Sequence, residues 1–159
     1  MKHLYIIAGC NGAGKTTASM TILPKSLLVK EFVNADEIAK GLSPFNPEGV
    51  AIEAGRLMLE RIQYLLGKGE SFSIETTLAT RSYINLVKEA HELGYTVHLI
   101  YFWLNSPQLA VDRVAERVSK GGHNIPYEVI LRRYSKGIDN LFKLFMREVD
   151  IWAIYDNSQ

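Results

Sequence analysis

Residues 3–17 read HLYIIAGCNGAGKTT. A short apolar run, Leu4-Tyr5-Ile6-Ile7-Ala8, leads into Gly9-x-x-x-x-Gly14-Lys15-Thr16. That spacing is the complete phosphate-binding loop pattern, set between an expected strand (3–8) and an expected helix (about Lys15 to Thr21). Gly9, Gly12 and Gly14 permit backbone conformations that a side chain would forbid. The N–H groups from Gly9 through Cys10, Asn11, Gly12, Ala13 and Gly14 to Lys15, Thr16 and Thr17 can then turn inward around a nucleotide's phosphates. Lys15 adds a point positive charge between the β- and γ-phosphates. Thr16 offers a hydroxyl to Mg²⁺, a cation that usually keeps several waters and takes few protein ligands. Two other readings compete. Asn11-Gly12 alone marks a hairpin, but a turn does not require five specified positions between a strand and a helix. Ile7-Ala8-Gly9-Cys10 after a lysine looks like a lipoprotein cleavage site. The apolar segment before it is only about five residues, short of the roughly 7–15 a signal core needs.

The bulk numbers fit this picture. A chain of 159 residues suffices for one domain, here 1–159, with a substantial core. Apolar residues make up 47% and charged residues 22%, as in ordinary globular proteins. A net charge of +1 argues against a sequence-independent grip on nucleic acid. One cysteine excludes an internal disulfide framework and suggests a reducing compartment. No apolar run approaches 18 residues, so no membrane span is expected and the cytoplasm is the expected location.

Outward from the loop, strand and helix signals alternate, which argues a parallel sheet covered on both faces. Glu31–Asn34 reads as a second strand, and a short helix is expected over 37–41. Ser43-Pro44-Phe45-Asn46-Pro47 is a loop, with Pro47 fitting the first position of a long helix capped by Asn46. The stripe of Val50, Ala51, Ala54, Leu57, Met58, Ile62, Leu65 and Leu66 defines that helix, ended by Gly67 and Gly69. Ser71–Glu75 is a third strand, 81–93 a helix stopped by Gly94, and Tyr95–Trp103 a fourth strand with the character of a buried centre. Ser106-Pro107 opens a helix that ends at Gly121-Gly122. Ile125-Pro126 opens another, and Val149–Tyr155 is the last strand. Five strands behind such a loop match the small-molecule kinase arrangement, and by analogy to that fold group the expected order is 2-3-1-4-5.

Ligands of open α/β sheets sit beyond the carboxyl ends of the strands. Asp36 follows strand two there. It reads either as a general base that accepts a hydroxyl proton from an acceptor or as a helix cap. Glu75 ends strand three beside the loop, where it could hold a Mg²⁺-bound water or contact substrate. Thr76 and Thr77 follow with hydroxyls. Arg113 and Arg117 share a helix face, Gly121-Gly122-His123 makes a turn, and Arg132 and Arg133 lie on the next helix. An arginine-bearing helix-loop-helix between strands four and five (about 107–136) is where a kinase lid belongs, supplying charge to the moving phosphoryl group and excluding water. Arg132 and Arg133 are about 100° apart on a helix, so one of them is expected to face the phosphates. His123 reads as a phosphate or substrate contact, or as a residue that shapes the loop.

Taken together, IAGCNGAGKTT, NADEIAKGLSPFNPE, AGRLML, FSIETTL, GYTVHLIYFWL, RVAERVSKGGHNIP, RRY and YDNS span nearly the whole chain in order. With these segments the sequence resembles the zeta toxin-like P-loop kinases. The resemblance implies use of ATP or GTP with Mg²⁺, and transfer of the γ-phosphate to a hydroxyl of a UDP-sugar such as UDP-N-acetylglucosamine. It makes Asp36 the general base, Glu75 and Thr76 substrate-side residues, Lys15 and Thr16 the nucleotide and Mg²⁺ residues, and the arginines around Arg117 phosphate ligands. It also implies an antitoxin protein as a partner. Cys10 stands where the family often has proline. Beside a phosphate-binding nest its thiol is expected to have a lowered pKa and to be open to oxidation. The sequence reaches Asp156-Asn157-Ser158-Gln159 where relatives usually continue, so part of the nucleotide-base contact is expected to be missing. Two other functions compete: a kinase for another small hydroxylated metabolite, and a nucleotide-binding or NTPase module without an acceptor.

Overall fold

Parallel strands need long crossovers, and apolar strands flanked by helices bury both of their faces. The computed structural model describes residues 1–159 and shows that outcome. Strands β1 (Lys2–Gly9), β2 (Glu31–Val33), β3 (Phe72–Thr76), β4 (Tyr95–Trp103) and β5 (Ile151–Asp156) form one parallel sheet in the order β2-β3-β1-β4-β5. That is the expected order. The crossovers carry α1 (Lys15–Ser26), α2 (Ala35–Leu42), α3 (Ala51–Lys68), α4 (Tyr83–Glu92), α5 (Pro107–Ser119) and α6 (Tyr127–Asn140). Beyond α6 the chain passes through a π-helical turn at Leu141–Phe145 and a short helix at Met146–Glu148.

Alternate residues of β1 serve two cores. Leu4, Ile6 and Ala8 join Phe72, Ile74, Val97 and Leu99 under Met58 and Ile62 of α3, Val87 of α4, and Phe145. Tyr5 and Ile7 join Phe102 under Leu23 of α1, Ala110 and Val114 of α5, and Ile130 of α6. β4 is the interior strand its composition suggests, paired to β1 on one side and β5 on the other. β5 is a bare edge, with Ile151, Trp152, Ile154 and Tyr155 all exposed. No helix is long and apolar enough to cross a membrane.

Several boundaries differ from expectation. α1 continues past Thr21 to Ser26 with Pro24 in its last turn, because Leu23 is buried in the second core. Pro47 opens a 3₁₀ turn at Pro47–Val50 instead of a long helix. Gly49 N–H donates to the Asn46 carbonyl (3.2 Å), Asn46 makes no side-chain cap, and α3 starts at Ala51. Gly67 lies inside α3, which stops at Gly69 with φ +69°. Strands two, three and five and the helix expected over 81–93 shift by one or two residues, the usual fraying of assigned ends. α2 begins at Ala35, two residues early, because Asn34 caps it.

β5 is tied to the sheet's lower edge by Asp150. Its Oδ2 accepts from Val97 N–H (2.7 Å) and contacts His91 Nε2 (2.8 Å). The Val97 N–H first, and His91 with it, hold the carboxyl below the usual carboxylate range. A carboxyl depressed in the folded state stabilises above its unfolded pKa, and that contribution is lost as pH falls through the folded value. Asp150→Asn is therefore expected to lower Tm by about 2–4 °C near pH 7. As pH is lowered through the depressed folded pKa of Asp150, the difference should shrink in a series of thermal melts.

Candidate active site

The loop after β1 closes on itself. Ala13 N–H donates to the Cys10 carbonyl (3.1 Å), and Lys15 Nζ donates to the same oxygen (2.9 Å). Two glycines are sterically required here. A Cβ on Gly9 (φ +150°) would lie 2.6 Å from the Phe102 carbonyl oxygen, and one on Gly14 (φ +88°) would lie 2.6 Å from Asn157 Nδ2. Burial pushes the Lys15 ammonium's pKa down, Glu75 and Asp36 pull it back up, and Arg117 lowers it. Thr16 lies beside Lys15 at the mouth of the loop, and Thr17 is exposed on the first turn of α1.

The β1–β3 register pairs Ile7 with Glu75 and Ala8 with Thr76, so β3 delivers Glu75 next to the loop. Thr16 Oγ1 donates to Glu75 Oε1 and Oε2 (2.9 and 3.0 Å), and Asn34 Nδ2 donates to Oε2 (3.0 Å). Burial raises the Glu75 pKa. The Lys15 charge and these two donors oppose that rise, and Asp36 adds to it. A hydroxyl and a carboxylate in contact are hard oxygen donors, which fits Mg²⁺. No group of three or more His, Cys, Asp or Glu side chains is placed to hold a metal, so phosphates and water would complete the shell.

Asp36 is exposed on the first turn of α2, close enough to Lys15, Glu75 and Arg133 to bias the ionisation of all three. It is not the cap of α2: Asn34 Oδ1 accepts from Asp36 N–H (2.8 Å) and Glu37 N–H (3.3 Å). The Asp36 carboxylate is thus left out of helix capping. Thr76 Oγ1 accepts from Leu78 N–H (3.0 Å), and the Thr77 carbonyl packs against Gly137.

The arginines divide. Arg113 Nη1 donates to the Gly12 carbonyl (3.3 Å) and Arg133 Nη1 to Asn11 Oδ1 (3.2 Å). Arg117 is exposed near Lys15, while Arg132 is exposed without an ion pair. Of the adjacent pair, Arg133 turns toward the loop. His123 does not reach the loop: its Nδ1 lies 2.7 Å from Glu48 Oε1, on the connection between α2 and α3. In the segment read as a lid, Ala110, Val114 and Ile130 anchor the two helices in the second core, while exposed residues line both helices and the connection at 120–126.

Two residues went unremarked in the sequence. Asn34 is detectable from its spacing to Glu37, the capping-box interval. Asn157 Nδ2 donates to the Ala13 carbonyl (2.7 Å) and so clamps the loop, a contact with no local signature. Cys10 contradicts its reading. It is 2% exposed, and burial raises its pKa more than Lys15 and Arg113 lower it. The thiol is a core group facing away from solvent.

The zeta toxin family description matches residues 1–159. The chain belongs to the zeta toxin family. An uncharacterized protein of Haemophilus influenzae is 32% identical over 126 residues, covering 79% of this chain and 88% of its own length. Among solved structures, the fold of this zeta toxin family member resembles that of the PezAT toxin–antitoxin system of Streptococcus pneumoniae (TM-score 0.73, 16% identity, 98% of this chain and 68% of that one). It also resembles the AvrRxo1-ORF1:ORF2 complex with ATP (TM-score 0.80, 19% identity, 98% and 55%). A third likeness is a putative kinase from Chloroflexus aurantiacus (TM-score 0.69, 17% identity, 99% and 86%). The fold is that of the P-loop kinases.

The buried thiol makes a direct forecast. Cys10 should react with a thiol reagent at pH 7.5 at least about a hundredfold more slowly than free cysteine, and at the free rate once the chain is unfolded in guanidinium. Fast labelling of the folded protein would contradict the burial.

Proposed function

We propose that this zeta toxin family member is a kinase that transfers the γ-phosphate of ATP or GTP to a hydroxyl of a UDP-N-acetylhexosamine such as UDP-N-acetylglucosamine. The observation that carries the reading is the separation of two charges around Glu75. Lys15 lies inside the loop, and Asp36 lies on a different element, free of capping duty and coupled to Lys15 and Arg133. A nucleotide-binding module without an acceptor has no use for a carboxylate so placed.

In this reading the loop's N–H groups and Lys15 hold the β- and γ-phosphates. Asp36 takes the proton from the acceptor hydroxyl as the new P–O bond forms, and the γ-phosphoryl bond to the leaving diphosphate breaks. Arg133 and Arg117 face the equatorial oxygens with charge. Mg²⁺, when held by Thr16 and Glu75, neutralises phosphate charge. Support for nucleotide use comes from the likeness to a complex solved with ATP, and support for an antitoxin partner from the likeness to the PezAT system.

Incubation with Mg²⁺-ATP and a panel of UDP-sugars, with mass detection of a phosphorylated product, tests the assignment. Transfer to none of them would move the acceptor to another hydroxylated metabolite. Asp36→Asn should lower kcat by about 10²–10⁴-fold and leave the Kd for ATP within about threefold. Equal loss of both would remove the base role. Lys15→Ala should instead weaken ATP binding itself, by about tenfold or more in calorimetry.

A further inference from the structure

Asn34 is 6% exposed and spends both ends of its amide. Oδ1 accepts from the Asp36 and Glu37 N–H groups, and Nδ2 donates to Glu75 Oε2 (3.0 Å), whose carboxylate also accepts from Thr16. Only one orientation of the amide serves, because the two N–H groups need an acceptor and the carboxylate needs a donor. No other side chain does both jobs. Aspartate caps a helix but has no donor, the serine or threonine hydroxyl sits where Asn34 has its Cγ and so falls one bond short of the Nδ2 that reaches Glu75, and glutamine is one methylene too long.

The geometry points to Asn34 as a positioning residue that fixes the helix carrying Asp36 in register with Glu75 and Thr16. The chain of contacts runs Thr16–Glu75–Asn34–Asp36 and crosses from α1 through β3 to α2, all at the carboxyl edge of the sheet. A plain cap would fix only where α2 begins. This one also fixes how far α2 stands from the nucleotide side, which sets the distance over which a phosphoryl group moves. Sub-ångström placement of reacting groups governs rate more than binding. The inference rests on the proposed kinase reading, in which Asp36 and Glu75 serve acceptor and nucleotide.

A substrate-free melting cycle tests the contact. Asn34→Asp keeps the cap but sets one carboxylate against another, so Tm should fall by at least about 3 °C. In Asn34→Asp combined with Glu75→Gln, the glutamine amide donates to the new carboxylate. That variant should melt within about 1 °C of Glu75→Gln alone, and it should fold even if Asn34→Asp does not. Additive losses would overturn the contact. The positioning role is tested with Asn34→Ser, which retains a capping oxygen. Its kcat should fall at least about tenfold, with KM for ATP within about twofold. A wild-type kcat would reduce Asn34 to a helix cap and overturn the proposal. Turnover is followed with whichever acceptor shows it, water included. A wild-type protein that phosphorylates no UDP-sugar would sink the sugar-nucleotide reading and leave the Asn34 result standing or falling on the cycle.

Discussion

A lysine ammonium buried at the mouth of a parallel sheet needs negative charge around it, and Lys15 imposes that need on everything near it. No carboxylate touches it, and its one hydrogen bond in the loop is to a carbonyl, the oxygen of Cys10. Glu75 and Asp36 favour its charged state from a distance, and Arg117 disfavours it. Burial of an ionic group without a contact partner is costly. The site is therefore short of negative charge beside the loop.

Strand order decides which side chains can meet that need. β1 ends in the loop, and β3 is its neighbour on one side, so Glu75 arrives within reach of Thr16 through register alone. β2 lies beyond β3, and the chain leaving β2 turns at once into α2. Asp36 is thus one strand farther from the loop than Glu75. The two acids differ in consequence. Glu75 is partly buried and engaged by two donors, whereas Asp36 is exposed and uncommitted. A carboxylate that is to accept a proton must not already be saturated with hydrogen bonds.

Much of this was legible in the chain. The phosphate loop and the interior character of Tyr95–Trp103 follow from motif spacing and from apolar runs bounded by turn residues, whereas the strand order comes by analogy to the kinase fold group and is the order observed. Asp36 and Glu75 were visible because strand ends are where ligands sit. Whether Asp36 caps the helix was not visible, since Asn and Asp both cap, and the Asn34 hydrogen bonds show that Asp36 does not. Cys10 was misread because its neighbours in sequence are a nest of N–H groups and a lysine. Its neighbours in space include the buried Ala13, Phe102 and Leu104. For His123 the sequence leaves open a phosphate or substrate contact and a role in shaping the loop, and its partner is Glu48. Long-range contacts of this kind, like Asn157 on the Ala13 carbonyl, leave no periodic trace.

The segment after β3 and the helix α6 that carries Arg133 are tied together. Asn140 Nδ2 donates to the Leu78 carbonyl (2.8 Å), and a Cβ on Gly137 would stand 2.6 Å from the Thr77 carbonyl oxygen. Leu78 is fully buried at φ +63°, a conformation that leucine adopts only when its surroundings impose it. Arg133 lies one helical turn before Gly137, on the same face of α6. Any rigid shift of α6 that drew Arg133 from Asn11 would also pull on the segment just after Glu75. The connection at 120–126 is held differently: Gly122 N–H donates to the Arg117 carbonyl (2.8 Å), His123 Nδ1 lies 2.7 Å from Glu48 Oε1, and Ile125 packs on the second core. Arg133 is thus held at Asn11 by the same helix that closes on Thr77 and Leu78.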